Sequence, residues 1–337
     1  MYPRFSVVLA VVAGLTVAGC AGTNTTPAPS ISNLTSQSAA GGSESSAQAP
    51  PNFGLAGATH RGAPTLRVKP DASYKRALYV LNSAANTVQV LTNKYYRQLG
   101  AITNGISHPQ AMTIDGQGNL YITNQNYPNS YIAKYAPGGS SPSFTYNEPL
   151  FPSGVTVDRH GNLFVADNNG YVYQYAQGIQ NPIASCYVGN QAFGVAVDAN
   201  GNVFMSAWEF DNGPAVIELA GGLSGCNVTV LMYLSQPPSQ PAPSLAVDAN
   251  DNLILPWEST VDVIDPPYST VTTTVGSCSA TCVVSLNKTN KLLFLSDSGT
   301  NKVVVINYDT KSVIRDIGLQ NGISQANGVV DAPNAIY

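Results

Sequence analysis

Two Trp-Glu pairs, Trp208-Glu209 and Trp257-Glu258, are the residues of this 337-residue chain best suited to hold a ligand, and they use both of its tryptophans. A flat ring beside a carboxylate offers a stacking face and a hydrogen-bond acceptor together, which a sugar ring and its hydroxyls would satisfy. Residues for catalysis are scarcer. The chain has three histidines, His60, His108 and His160, and no Gly-x-Ser-x-Gly. A Ser-His-Asp triad would rest on His108 alone, which precedes Pro109 and reads as a loop residue. Asp198-x-Asn200-x-Asn202 ending at Glu209 imitates a calcium-loop spacing, but Val203 stands where the sharp turn needs glycine and the flanks read as strands. Cys186, Cys226, Cys278 and Cys282 make an even set of candidate disulfide partners. Cys278 and Cys282 could close a small loop, and Cys186 and Cys226 occupy similar places in successive repeats. A Cys-x₃-Cys without a second knuckle or a nearby histidine is a weak zinc signal.

The elements that must position these residues announce themselves by repetition. Met112–Ile122, Val155–Val165, Val195–Met205 and Leu245–Leu255 each place an Asp-x-x-Gly/Asp-Asn turn between two alternating apolar runs. Their aspartates are Asp115, Asp158, Asp198 and Asp248. Degenerate copies lie at Leu66–Leu81, Val284–Leu295 and Val329–Tyr337. Strand pairs recurring at about 40 to 50 residues predict the four-stranded blades of an all-β propeller. Six sets of second-to-fourth strands stand against seven candidate first strands. Six blades, closed by the C-terminal strand pairing near the N-terminus, are favoured, with seven as the alternative.

Composition agrees with this architecture. Lys plus Arg number 15 and Asp plus Glu 19, a net charge of −4, and charged residues are 10% of the chain against roughly a quarter in an average domain. No basic excess is present to neutralise phosphates, which argues against a nucleic-acid partner. The 44% apolar content is too high for a chain disordered throughout.

Residues 1–20 read as a secretory signal: Arg4, then the apolar run Phe5–Val17, then small residues before Cys20. Leu15-Thr16-Val17-Ala18-Gly19-Cys20 resembles the lipobox of bacterial lipoproteins, which implies cleavage before Cys20 and a lipid on its thiol. Ala21 after the cysteine resembles lipoproteins sent on to an outer membrane. Residues 21–63, poor in large apolar groups, read as a disordered tether, and residues 64–337 as one domain. The expected location is the bacterial cell envelope, lipid-anchored, periplasmic or at the outer membrane or surface.

Pro152-Ser153-Gly154-Val155-Thr156-Val157-Asp158 through Asn162-Leu163-Phe164-Val165-Ala166-Asp167 resembles the NHL-repeat family of β-propellers, across roughly residues 65–337. That resemblance implies that the ends of the second strands surround the mouth of a central channel. There it places Asn82, Asn124, Asp167, Trp208, Glu209, Trp257, Glu258 and Asp297 as ligand-binding candidates. The fold also resembles, more distantly, the senescence-marker/gluconolactonase hydrolases, which hold a divalent cation at the channel mouth. By that resemblance Asn124, Asp167, Glu209 and Asp297 could ligate Ca²⁺ for lactone hydrolysis. The innermost strand of the first blade, Thr65-Leu66-Arg67-Val68, lacks the glutamate those relatives use. The favoured reading is a binding or scaffold protein for a glycan, peptide or envelope partner, with no cofactor and no catalytic residue assigned.

Overall fold

The computed structural model describes residues 77–332 apart from 148–149, 210–211, 235–243 and 258. The signal segment with Cys20, the 21–63 tether, the strand candidate beginning at Leu66, and Glu258 lie outside the described residues. The described residues form six antiparallel sheets of four strands each, a six-bladed β-propeller. The innermost strands of blades 2 to 6 are Pro109–Ile114, Pro152–Val157, Gln191–Val197, Ala246–Val247 and Cys282–Leu286. The corresponding second strands are Leu120–Asn124, Leu163–Asp167, Val203–Glu209, Leu253–Trp257 and Leu292–Asp297.

Blade 1 takes its inner strand from the other end of the chain. Gly328–Asp331 pairs antiparallel with Ala77–Asn82, with Leu78 opposite Asp331 and Leu81 opposite Gly328. This is the expected C-terminal closure, and it makes the count six rather than seven. Ala77–Asn82, the end of the earliest degenerate copy, is the second strand of that blade.

The repeated turn explains itself in hydrogen bonds. In blade 2 the Asp115 carboxylate accepts from the N–H groups of Gln117 and Asn119 at 2.9 and 2.8 Å, and from the Asn119 side-chain amide at 2.7 Å. The same three bonds recur at Asp158, Asp198 and Asp248. The fourth turn residue must adopt positive φ, supplied by Gly118, Gly161 and Gly201 at 84° to 88° and by Asp251 at 64°. These aspartates are therefore spent on hairpins, including the one that imitates a calcium loop.

Apolar residues alternate into the gaps between blades, giving successive clusters such as Phe164, Val172, Met205 and Ile217 between blades 3 and 4. Both cysteine pairs are bonded. Cys186 and Cys226, with Cα atoms 5.3 Å apart, join blade 3 to blade 4, and Cys278–Cys282, at 6.1 Å, closes the loop leading into blade 6.

Candidate functional site

The last residue of the second strand does the same work in four blades. Asn124 is fully buried and its Oδ1 accepts the Ser107 N–H at 2.7 Å. Asp167, also at 0% exposure, accepts from the N–H of Phe151 at 2.9 Å and of Asn169 at 2.7 Å. Asn82 donates to Ser324 Oγ and accepts from the Ala85 N–H, both at 2.9 Å. Asp297 accepts from the Ser279 hydroxyl and N–H, the Gly299 N–H and the Thr300 hydroxyl. Ser107, Phe151, Ser279 and Ser324 all precede an inner strand, so each side chain clips its blade's lead-in loop to the end of its second strand, and those of Asn82, Asp167 and Asp297 also hold the second-to-third-strand turn.

The two acidic clips differ electrostatically. Burial pushes the Asp167 carboxyl above the usual range, with backbone N–H groups opposing it. At Asp297 burial also pushes upward, but the Ser279 and Thr300 hydroxyls and two N–H groups outweigh it and hold the carboxyl below that range.

Blades 4 and 5 depart from the pattern. Aligning the ladders through Val157 opposite Leu163, Val197 opposite Val203, and Val247 opposite Leu253 puts Ala207 and Trp257 at the clip position. Trp208 is one residue further on, and successive strand residues face opposite ways. The two tryptophans are therefore not equivalent. Trp257 is 8% exposed and packs with Phe204, Leu245 and Leu255, its indole N–H without a hydrogen-bond partner. Trp208 is half-buried at the blade's upper edge, where its carbonyl accepts the Asn190 N–H at 2.8 Å. Glu209 accepts from the Tyr233 hydroxyl and from the Asn212 amide, and its carboxylate raises the Tyr233 hydroxyl's pKa.

A cavity of about 490 Å³ runs along the inner strands of all six blades. Its polar lining includes Gln110, Thr113, Thr156 and Ser285, with Ser83, Asn168, Ser244, Thr281 and Asn327 from the segments that border those strands. Among the described residues no ionisable side chain lines it. Among the described candidates, none of Asn124, Asp167, Trp208, Glu209, Trp257 and Asp297 belongs to this lining. Trp208 instead borders a more open depression with Asn168, Asn190 and Gln191. Asn168, shared by both hollows and with an unpartnered Oδ1, was missed in sequence. The run Asp167-Asn168-Asn169-Gly170, more polar than one cap requires, is the signal that could have found it. Among the described residues no three His, Cys, Asp or Glu side chains come together at metal-ligand spacing.

No family model matches the chain, and no curated protein matches its sequence. The NHL, lipoprotein and gluconolactonase resemblances thus find no matching family. Solved structures match in fold. A chain of a nidogen/laminin complex aligns with a TM-score of 0.59 at 15% identity, covering 77% of this chain and 99% of that one. A protein of unknown function from Bacteroides caccae aligns at 0.57 and 11% identity, covering 76% and 98%. A functionally unknown protein from Desulfotomaculum acetoxidans aligns at 0.51 and 14% identity, covering 76% and 99%. Likeness at this level of identity establishes the propeller fold, which is consistent with a binding or scaffold role and assigns no ligand or reaction.

Proposed function

We propose that this chain is a lipid-anchored binding or scaffold protein of the bacterial cell envelope. In this reading Cys20 carries the lipid, residues 21–63 supply reach, and the propeller holds an uncharged glycan, a peptide or an envelope protein. The observation that carries the binding reading is the use already made of the candidate carboxylates. Asp167 and Asp297 direct their oxygens at their own loops, while neutral hydroxyls, amides and aliphatic groups line the axial cavity. Such a lining suits recognition of a neutral polar ligand better than proton transfer. The nidogen/laminin complex, an assembly containing a chain of similar fold, offers a parallel for a propeller used in association.

The test is made on the purified full chain. Metal content and lactone hydrolysis are measured with and without EDTA, and acyl incorporation is compared between wild type and Cys20→Ala. Fatty-acid labelling that depends on Cys20, with no chelator-sensitive turnover, supports the proposal. One tightly held calcium per chain with EDTA-sensitive hydrolysis overturns it in favour of the lactonase alternative. Unchanged labelling of Cys20→Ala removes the anchor.

A further inference from the structure

We infer that a strip of aromatic rings across the upper edge of blades 2 to 4 is a binding surface for a neutral polysaccharide, a deepening of the binding role proposed above that rests on it. The strip comprises Tyr127, Phe151, Tyr171, Tyr187, Trp208 and Tyr233. Tyr127 is 64% exposed and stacks on Phe151 with centroids 5.2 Å apart and planes 6° from parallel. Tyr171 and Tyr187, 38% and 41% exposed, lie 5.0 Å apart. Tyr233, 49% exposed, is tied to Glu209, the neighbour of Trp208.

The segments that carry these rings are joined edge to edge. Asn168 N–H donates to the Phe151 carbonyl at 2.9 Å, and Tyr171 pairs with Asp167 across the ladder. Val188 N–H, next to Tyr187, donates to the Gly170 carbonyl at 2.8 Å, and Asn190 N–H donates to the Trp208 carbonyl. Gly170 lets the two segments meet: a Cβ there would fall inside the Gly189 carbonyl and touch the Tyr187 ring. A row of this kind covers several sugar units rather than one.

The groups between the rings specify the ligand's chemistry. Asn168, Asn190 and Gln191 border the depression beside Trp208, and each amide presents a donor and an acceptor, matching vicinal hydroxyls. Segments 124–131, 150–153, 167–173, 187–191 and 207–213 contain no lysine or arginine, so an anionic chain would find no countercharge. A proline-rich peptide would use the rings and, lacking N–H donors at its prolines, would engage only the donor half of each amide, whereas a sugar hydroxyl both donates and accepts.

Affinity electrophoresis of the full, detergent-solubilised chain tests this in native gels cast with dextran, galactomannan, hydroxyethyl cellulose or anionic alginate. Retardation is expected in a neutral gel and not in alginate. Tyr127→Ala and Tyr171→Ala should each weaken it by about threefold to tenfold, the range for loss of one ring contact. Tyr127→Phe and Tyr171→Phe, which keep the stacking faces, should retain it, as should Val313→Ser on the exposed outer strand of blade 6. Absence of retardation in every neutral gel, or retardation unaffected by the Ala variants, overturns the inference. Retention on immobilised poly-L-proline that needs the same tyrosines, without retardation by any neutral glycan, also overturns it while leaving the broader binding role standing. EDTA-sensitive lactone hydrolysis would defeat that broader role instead.

Discussion

Blades 1, 2, 3 and 6 and blades 4 and 5 end their second strands with different chemistry. In the first group a buried Asn or Asp at the end of the second strand ties the incoming loop to that strand. In the second, Ala207 and Trp257 occupy that position and have no such group to offer. Blade 4 is instead stapled to blade 3 through Cys186–Cys226. Blade 5 relies on apolar packing around Trp257 and on the Tyr308 hydroxyl of blade 6, which donates to Asp248 Oδ2 at 3.1 Å. Its inner strand is two residues, Ala246–Val247. A side-chain clip at this position is thus present in four of the six blades and absent from two, whose stability draws on a covalent bond to a neighbour and on bulk.

The largest loss is expected at Trp257. Trp257→Ala should destabilise the propeller by about 4 kcal/mol, the cost of a large cavity in a packed core, measured by urea unfolding. A loss near zero would mean that blade 5 does not depend on its tryptophan. Next, replacing Cys186 and Cys226 together with Ser should cost about 4 kcal/mol from the freed loop's entropy, and the Cys278/Cys282 pair about 2 kcal/mol. The difference follows from sequence separations of 40 and 4.

Among the clipped blades, Asp297 and Asp331 contrast. Asp331, in the closing strand, is 9% exposed with an unpartnered Oδ1, and burial pushes its carboxyl up to about 7. The folded protein therefore keeps a proton that the unfolded chain releases near pH 4. Stability from this group is full below that pH and is lost as pH rises through about 7. Asp331→Asn should flatten the fall in Tm between pH 4 and 8 and raise Tm at pH 8; an unchanged slope would refute this. Asp297→Ala, which strands several donors, should cost about 3 kcal/mol at pH 7. Its ionised form is the favoured one, so the wild-type contribution fades as pH falls through the acid range. The smallest effect is reserved for Trp257→Phe, within about 1 kcal/mol, because the indole N–H has no partner to lose and most of the packing remains.

The repeat was legible because its reasons are local. An Asp that binds N–H groups two and four residues on, followed by a residue able to hold positive φ, writes its hairpin into five consecutive positions. Closure was legible too, since the copy at Val329 supplied a first strand without later partners. The site was less so. Trp208 and Trp257 share a Trp-Glu motif yet differ by one ladder position, which sends one indole into the core and leaves the other at an edge. The propeller resemblance places Asn124, Asp167 and Asp297 at the channel mouth as ligand candidates, but which loop their oxygens meet depends on segments 16 to 18 residues away. Tyr127 and Tyr171 gave no signal, because in sequence they look like Tyr121, Tyr135 and Tyr175, which are buried.

The Gly328–Asp331 strand has a consequence for biogenesis. A chain made from its N-terminus has the Ala77–Asn82 edge long before the strand that covers it. Until then that edge is an open template, and a truncation before Gly328 leaves it open for good. The same strand lent from a second, intact molecule would then cover the truncated chain's edge and uncover the donor's own, a one-way loan that passes the open edge along instead of removing it.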